Sequence, residues 1–219
     1  RARQALAQVD GQLVRREDGL IRLFAPAFDR TERDPGHIQG YLPGVRENGG
    51  QYTHGAIWTA WAFAALGDGD KAHELYQLLA PVRHAQDPAG VARYQVEPYV
   101  IAADVYSLEP PVGRGGWTWY TGSASWFYRL GLEALLGLRK RGASLAFEPA
   151  LPRAWDGYRV VWREGASTYR VQVKRAARRS AVGASEAVRR VTLDGAPLPD
   201  LAVPLRDDGR DHEVVVELG

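Results

Sequence analysis

The spacing of apolar residues changes character once along the chain. Up to about Gly142 they recur at helical intervals. Beyond it they alternate in short runs rich in Val, Thr and Tyr. Helices followed by strands predict a mainly α region over residues 1–142 and a small antiparallel β module over 143–219, and argue against alternating βαβ units. Ala5, Leu6, Val9 and Leu13 share one stripe of a helix within Arg1–Arg16, with Gly19 as a plausible stop and Leu20–Phe24 extended. Residues 25–53 carry prolines and glycines at short intervals and no period. Such a long irregular stretch is functional or disordered, and the interspersed Phe28, Ile38, Tyr41, Leu42 and Val45 favour an ordered loop.

Gly55–Leu66 is apolar on nearly every side, the pattern of a buried helix. Gly67-Asp68-Gly69 closes it, and Asp70 can cap a helix that runs to Ala80 and stops before Pro81. Tyr99–Tyr106 is a shorter helix candidate. The strongest is Gly122–Arg141, where Trp126, Leu130, Ala134 and Leu138 recur every four residues. Thr121 or Ser123 can serve as its N-cap, while Arg139, Lys140 and Arg141 suit its negative end and Gly142 the residue beyond. Thereafter the period is two. Tyr158–Trp162 and Thr168–Val173 flank a Glu164-Gly165 turn, Val188–Leu193 ends at Asp194-Gly195, and His212–Leu218 is a last strand. The β module starts near Leu145.

Composition narrows the function. Hydrophobic residues make up 45% and charged residues 25%, which excludes wholesale disorder. Lys plus Arg number 28 against 26 Asp plus Glu, a net charge of +2, so nucleic acid is not the expected partner. No apolar run reaches the roughly 20 residues of a membrane helix, and Arg1–Asp10 does not read as a secretory leader. There is no Cys, which removes thiol and disulfide chemistry, and no Met. The chain opens within a helical pattern, so a piece of something longer, or a processed chain, is expected.

Three places could carry chemistry. In Trp117-Thr118-Trp119-Tyr120-Thr121-Gly122-Ser123 a small hydroxyl-bearing turn opens a helix, where unpaired N–H groups and the dipole favour an anion and tryptophans could wall a sugar. The same residues also make an ordinary cap beside core aromatics. His54 stands at a second helix start and could meet an anion, or could be a hydrogen-bonded structural histidine. Glu97, among aromatics in Tyr94-Gln95-Val96-Glu97-Pro98-Tyr99, could bind sugar hydroxyls or act as a base, or could be a solvated loop charge. Arg46 and Glu47 could be an ion pair ordering their loop, or could contact a ligand directly. The five histidines lack ligand spacing, so no metal is expected, and Arg178-Arg179 reads as a solvated basic turn.

Three long segments, taken in order, carry a resemblance: Pro43-Gly44-Val45-Arg46-Glu47-Asn48-Gly49-Gly50-Gln51-Tyr52-Thr53-His54, Val96-Glu97-Pro98-Tyr99-Val100, and Gly115-Gly116-Trp117-Thr118-Trp119-Tyr120-Thr121-Gly122-Ser123-Ala124. From about Leu13 to Tyr169 the chain resembles the glycoside hydrolase family 94 phosphorylases, which include cellobiose and chitobiose phosphorylases. Its wording is nearest to the phosphorylase-like C-terminal region of cyclic β-1,2-glucan synthases. The resemblance implies the last part of an (α/α)6 barrel followed by a β-sandwich. It implies inverting phosphorolysis, in which inorganic phosphate, the co-substrate, attacks an anomeric carbon while a carboxylic acid protonates the departing oxygen. His54, Thr121 and Gly122 fall on the family's phosphate-binding positions, and Glu97, with Trp117 and Trp119, on the wall expected to face sugar. No organic cofactor is implied.

One departure stands out. The family's general acid lies in an Asp-Trp-Asn-Asp-like motif that is absent here, and Asp10, Asp18, Asp29 and Asp34 have other surroundings. An upstream arginine that helps to bind phosphate is likewise missing. The resemblance therefore implies a C-terminal portion of an enzyme that binds phosphate and a β-glucan or oligosaccharide, with the rest of the barrel supplied in cis, by a second chain or by a second copy. The implied location is cytoplasmic, as part of an inner-membrane synthase or apart from one. A non-catalytic carbohydrate-binding remnant or a scaffold piece is the competing expectation.

Overall fold

The computed structural model describes residues 1–30, 32–108, 112–175 and 187–219; Pro110, Pro111, Arg178 and Arg179 lie outside them. The chain is a mixture of helices and sheets in two compact units, one of Arg1–Ala62 with Glu74–Leu130, the other of Phe63–His73 with Gly131–Gly219. No described helix is long and apolar enough to cross a membrane.

The first unit opens with α1 (Ala2–Gln12), shorter than the expected 1–16. The chain turns at once into β1 (Val14–Arg15), which pairs with β2 (Leu20–Ile21) around Gly19. The irregular stretch that follows contains a 3-10 helix, Gly36–Gly40. It is pinned by the side chain of buried Asn48. Its amide nitrogen donates to the carbonyls of Phe28 (2.9 Å) and Tyr41 (2.8 Å), and its oxygen accepts from the Phe28 amide (2.7 Å). One fully satisfied buried amide thus orders a loop that has no apolar period of its own.

Next come β3 (Gln51–Tyr52), α2 (Thr53–Ala65) and α3 (Gly69–Leu79). Only one stripe of α2, including Ala56, Ile57 and Ala60, is buried. Trp58 is 53% exposed, against the expectation of a helix buried all round. Asp68, not Asp70, caps α3, accepting from the Lys71 amide at 3.1 Å. Asp70 instead holds Arg153, accepting from its backbone amide (2.7 Å) and its guanidinium (2.9 Å). Two short helices escape the sequence reading, α4 (Pro81–His84) and α5 (Pro88–Tyr94), the latter capped by Asp87. The helix expected over Tyr99–Tyr106 does not form. Its place is taken by β4 (Asp104–Val105), bonded to distant chain on both sides, and those long-range partners override the local pattern.

α6 (Ser123–Arg129) passes into a π-helical turn, Leu130–Leu135. The helix expected to reach Arg141 stops there because Gly137 takes a φ of +72°, and a Cβ at this point would overlap the backbone of Glu148 and Pro149. Leu138–Arg141 is β5, folded on β6 (Ser144–Phe147), with Gly142 in the hairpin turn instead of at a helix end. Arg139 and Arg141 pair with Glu148 and Lys140 pairs with Glu164, so none of the three serves a helix terminus.

The second unit continues through β7 (Gly157–Glu164), β8 (Ser167–Arg175), β9 (Val188–Leu193), β10 (Ala196–Pro197), β11 (Ala202–Pro204) and β12 (Asp211–Leu218). Both predicted hairpin turns are present, with positive φ at Gly165 and at Asp194-Gly195. One sheet has the order β10-β9-β12-β8-β7 and the other β11-β6-β5. All pairs are antiparallel except β8 with β12, which run parallel because the last strand inserts between β8 and β9. Leu138, Leu145 and Phe147 from one sheet and Tyr169, Val171, Val191, Val214 and Val216 from the other share a single core.

A charged clamp closes one end of this unit. His212, 8% exposed, contacts Asp194 through Nδ1 (2.8 Å) and Asp208 through Nε2 (3.1 Å), and its ring stacks on Tyr169. The hydrogen bond to Asp194, followed by that to Asp208, raises the imidazole above its ordinary 6.5 despite burial. Asp194 is lowered from 3.8, first by His212 and then by the Glu213 amide. The clamp's imidazole contribution is therefore full below about pH 6.5 and fades as pH rises through the higher folded-state value, while the carboxylate share fades as pH falls below about 4. Replacing His212 by Gln is expected to cost about 2 kcal/mol near pH 6, the scale of hydrogen bonds to charged groups, and less at about pH 9; denaturant unfolding at the two pH values measures it. A second expected outcome concerns Gly137→Ala, which forces a Cβ into backbone and should lower stability by more than about 2 kcal/mol, read by the same unfolding curves.

Candidate functional site

The first and third motif segments meet within the first unit through backbone hydrogen bonds to a shared strand, β4. β3 pairs antiparallel with β4, with Gln51 opposite Val105 and Tyr52 opposite Asp104, and the Thr53 amide donates to the Ala103 carbonyl at 2.9 Å. On its other edge the β4 segment binds residues 115–118. The Ala103 amide donates to Trp117 O (2.6 Å), the Gly116 amide donates to Asp104 O (2.8 Å), and Ala102 bridges Thr118. The glycine-rich loop closes over the same place: the Ser107 amide donates to Gly44 O and its hydroxyl to Gly49 O, both at 2.8 Å. Gly49 is required by its φ of +82° and by Ala27, whose Cβ would lie 2.9 Å from a side chain there.

This ladder delivers two helix starts. His54 lies in the first turn of α2. Its ring packs on Trp58 (4.7 Å between centroids) and on Trp126 (5.6 Å), which stands in the first turn of α6. Trp126 also meets Trp58 and Trp61 edge-on, and the Arg129 guanidinium lies 4.8 Å from the Trp126 ring centre. The Nε2 of His54 is shielded from solvent and has no hydrogen-bond partner. A buried polar atom left open in this way costs stability unless something binds it.

At the start of α6, Gly122 occupies the N-cap position. The Thr121 hydroxyl accepts from the Ser123 amide (3.1 Å) and donates to the Ser123 hydroxyl (2.9 Å). Nothing lies within 4 Å of where a Gly122 Cβ would stand, so its backbone is open to approach. The structure thus brings the His54 ring onto Trp126, a residue of the helix that Thr121-Gly122-Ser123 opens.

The expected sugar-facing residues form a second group. Trp119 Nε1 donates to Glu97 Oε1 at 3.1 Å, and Tyr99 meets the Trp119 ring at 6.4 Å. Trp117 pairs with Tyr120 at 6.3 Å. Trp119 is 65% exposed and Tyr120 85%, so these rings are surface and not core. Glu97 titrates below its ordinary value, first through its own backbone amide and then through Trp119, which keeps it an anion that accepts hydrogen bonds. Trp119 has a φ of +70°, a conformation costly for a non-glycine residue and concentrated at functional sites.

One feature has little signal in the sequence. Tyr99 and Tyr120 enlarge the aromatic surface; their signal in sequence was only adjacency to Glu97 and Trp119. The Arg46–Glu47 pair is present, but at 3.7 Å, and Arg46 Nε and Glu47 Oε2 are both shielded without a hydrogen-bond partner. A pair serving only to order its loop would close those atoms on each other.

Residues 1–137 match the model of the glycosyl hydrolase 94 superfamily catalytic domain. The chain is 49% identical, over 80% of its length, to a cyclic β-(1,2)-glucan synthase of Rhizobium meliloti, covering 6% of that protein. It is 30% identical over its whole length to an N,N′-diacetylchitobiose phosphorylase of Vibrio proteolyticus and 26% identical to a solabiose phosphorylase of Paenibacillus borealis, covering 26% and 27% of them. The chain thus spans about a quarter or less of the relatives it matches. Motif order, fold and these matches agree, and the chain belongs to the glycosyl hydrolase 94 superfamily.

Proposed function

We propose that the chain carries the phosphate-binding side of the active site of an inverting glycoside phosphorylase or of a cyclic β-1,2-glucan synthase-type enzyme. His54, Thr121 and Gly122 bind inorganic phosphate, and Glu97, Trp117 and Trp119 face the sugar. The observation that carries this reading is the open, shielded Nε2 of His54, packed beside the first turn of α6. An imidazole nitrogen, a threonine hydroxyl and the free amides of a helix start are together a donor set for a tetrahedral anion. Glu47, with its unpartnered Oε2, joins the residues that can accept from sugar hydroxyls.

In this reading the chain orients phosphate for attack on the anomeric carbon. The proton for the leaving oxygen comes from an acid outside these residues, and no organic cofactor takes part. The helices belong to the C-terminal part of an (α/α)6 barrel within residues 1–142, and residues 143–219 form a β-sandwich; the shared core of the two sheets supports the second assignment. The exposed rings of Trp58 and Tyr128 support a covering partner, which is the rest of the barrel or a second copy. A cytoplasmic setting, within or beside an inner-membrane synthase, belongs to the same reading. A carbohydrate-binding remnant is favoured by one observation only, the exposed group Tyr99, Trp119, Trp117 and Tyr120.

Calorimetry with inorganic phosphate tests the assignment. The chain is expected to bind phosphate, and His54→Ala to weaken it by about 10- to 100-fold, the worth of one hydrogen bond to a charged group, while oligosaccharide binding is retained. Equal phosphate binding by both forms would leave only the remnant reading. The isolated chain is expected to form no sugar 1-phosphate from β-1,2-gluco-oligosaccharides, since absence of an acid alone costs about 10² to 10⁴ in rate. Trp119→Gly separates strain from recognition. Relief of the positive φ should leave stability unchanged or higher by up to about 1 kcal/mol, while oligosaccharide binding falls roughly 3- to 10-fold; thermal melting and a glycan titration measure the two.

A further inference from the structure

We propose that Asp104 is a positioning residue that holds the two helix starts of the phosphate site in register, an inference that rests on the phosphate reading above. Its carboxyl is buried, with the residue only 2% exposed, and it lies on the strand that the two motif segments share. Oδ1 accepts from the Trp117 amide at 3.1 Å, while the Asp104 carbonyl accepts from the Gly116 amide at 2.8 Å. One residue therefore fixes two successive peptide groups, four to five residues before Thr121-Gly122. On the opposite edge the neighbouring Ala103 carbonyl fixes the Thr53 amide, one residue before His54.

The sequence protects this contact. A Cβ at Gly116 would overlap the Asp104 carboxyl, so a glycine is demanded at 116 although its φ is ordinary. Burial raises the Asp104 carboxyl above its usual range, opposed by the Trp117 amide and by the charge and amide of Arg46, with Glu47 nearby adding to the rise. A carboxyl held at such cost needs a reason. Its Oδ2 has no hydrogen-bond partner, so only Oδ1 is occupied in bonding. What the fold uses is one correctly placed acceptor oxygen, and a neutral amide supplies that equally well.

The test uses the full 219-residue chain, amide NMR spectra and inorganic phosphate. Asp104→Ala is expected to shift the amides of 53–55 and 121–123 together, to leave those of β8 and β12 in place, and to weaken phosphate at least about tenfold, as one lost hydrogen bond to a charged ligand would. Asp104→Asn, which keeps the acceptor oxygen, is expected to restore the amide positions and phosphate affinity to within about twofold of the parent. Gly116→Ala, which displaces the carboxyl, should reproduce Asp104→Ala, and it decides the matter with Asp104→Asn if the alanine variant does not fold. Unmoved 121–123 amides in Asp104→Ala or Gly116→Ala would overturn the proposal. So would an asparagine variant as impaired as the alanine one, since the charge would then be acting itself. A parent chain that ignores phosphate contradicts the phosphate assignment, while the amide shifts still decide whether Asp104 couples the two helix starts.

Discussion

The first unit depends on one short strand bonded along both edges. Residues 102–106 are flanked by the segment that enters α2 and by the segment that enters α6. A strand with both edges occupied cannot slip without breaking bonds to two distant parts of the chain. That constraint sets where His54 and Thr121 stand, though 67 positions separate them. The buried side chains of Asn48 and Gln51 extend the same logic. Asn48 ties the glycine-rich loop to Phe28 and Tyr41, and Gln51 accepts from the Ile21 amide at 2.9 Å while donating to Thr53. Polar groups do the ordering where apolar periodicity is missing, because an unmet amide in such a place would cost more than the bonds return.

The candidate site is what this scaffold leaves open. Tryptophans 58 and 126 pack on one side of His54 and supply no acceptor or donor to its Nε2. Gly122 leaves its backbone bare. Trp119 is kept in a conformation that a glycine would adopt more cheaply, with its ring presented to solvent beside Glu97. Strain, an open ring nitrogen and exposed rings concentrated on a few residues are signs of a surface shaped for a ligand.

Much of this was legible in the sequence, and the failures share a cause. α2, α3 and the hairpins β7–β8 and β9–β10 follow from local period and turn chemistry, and they appear close to the predicted bounds. The local pattern of Tyr99–Tyr106 suggests a helix, but β4 forms there because its identity is fixed by partners about 50 residues before it and about 12 after it along the chain. The end of α6 was misplaced because Leu138 keeps the four-residue spacing, while Gly137, whose φ only the fold reveals, has already broken the helix. Asp70 and Asp68 were exchanged as caps because both are acidic residues at a helix start, and only tertiary contact shows that Asp70 serves Arg153. The site residues were legible as motifs. Their grouping was not, since it depends on backbone bonds through residues 102–107, and neither was Asp104, which looks like any loop carboxylate until its burial is known.

The central claim is that one phosphate is shared by His54 and the Thr121–Gly122 turn. A crystal structure of the chain grown with inorganic phosphate tests it most directly. The account predicts a single tetrahedral anion within hydrogen-bond distance of His54 Nε2, the Thr121 hydroxyl and an amide at the start of α6, roughly 2.7 to 3.2 Å from each. An anion bound to only one of these two elements, or a His54 ring turned away from α6 with no anion between them, would contradict it.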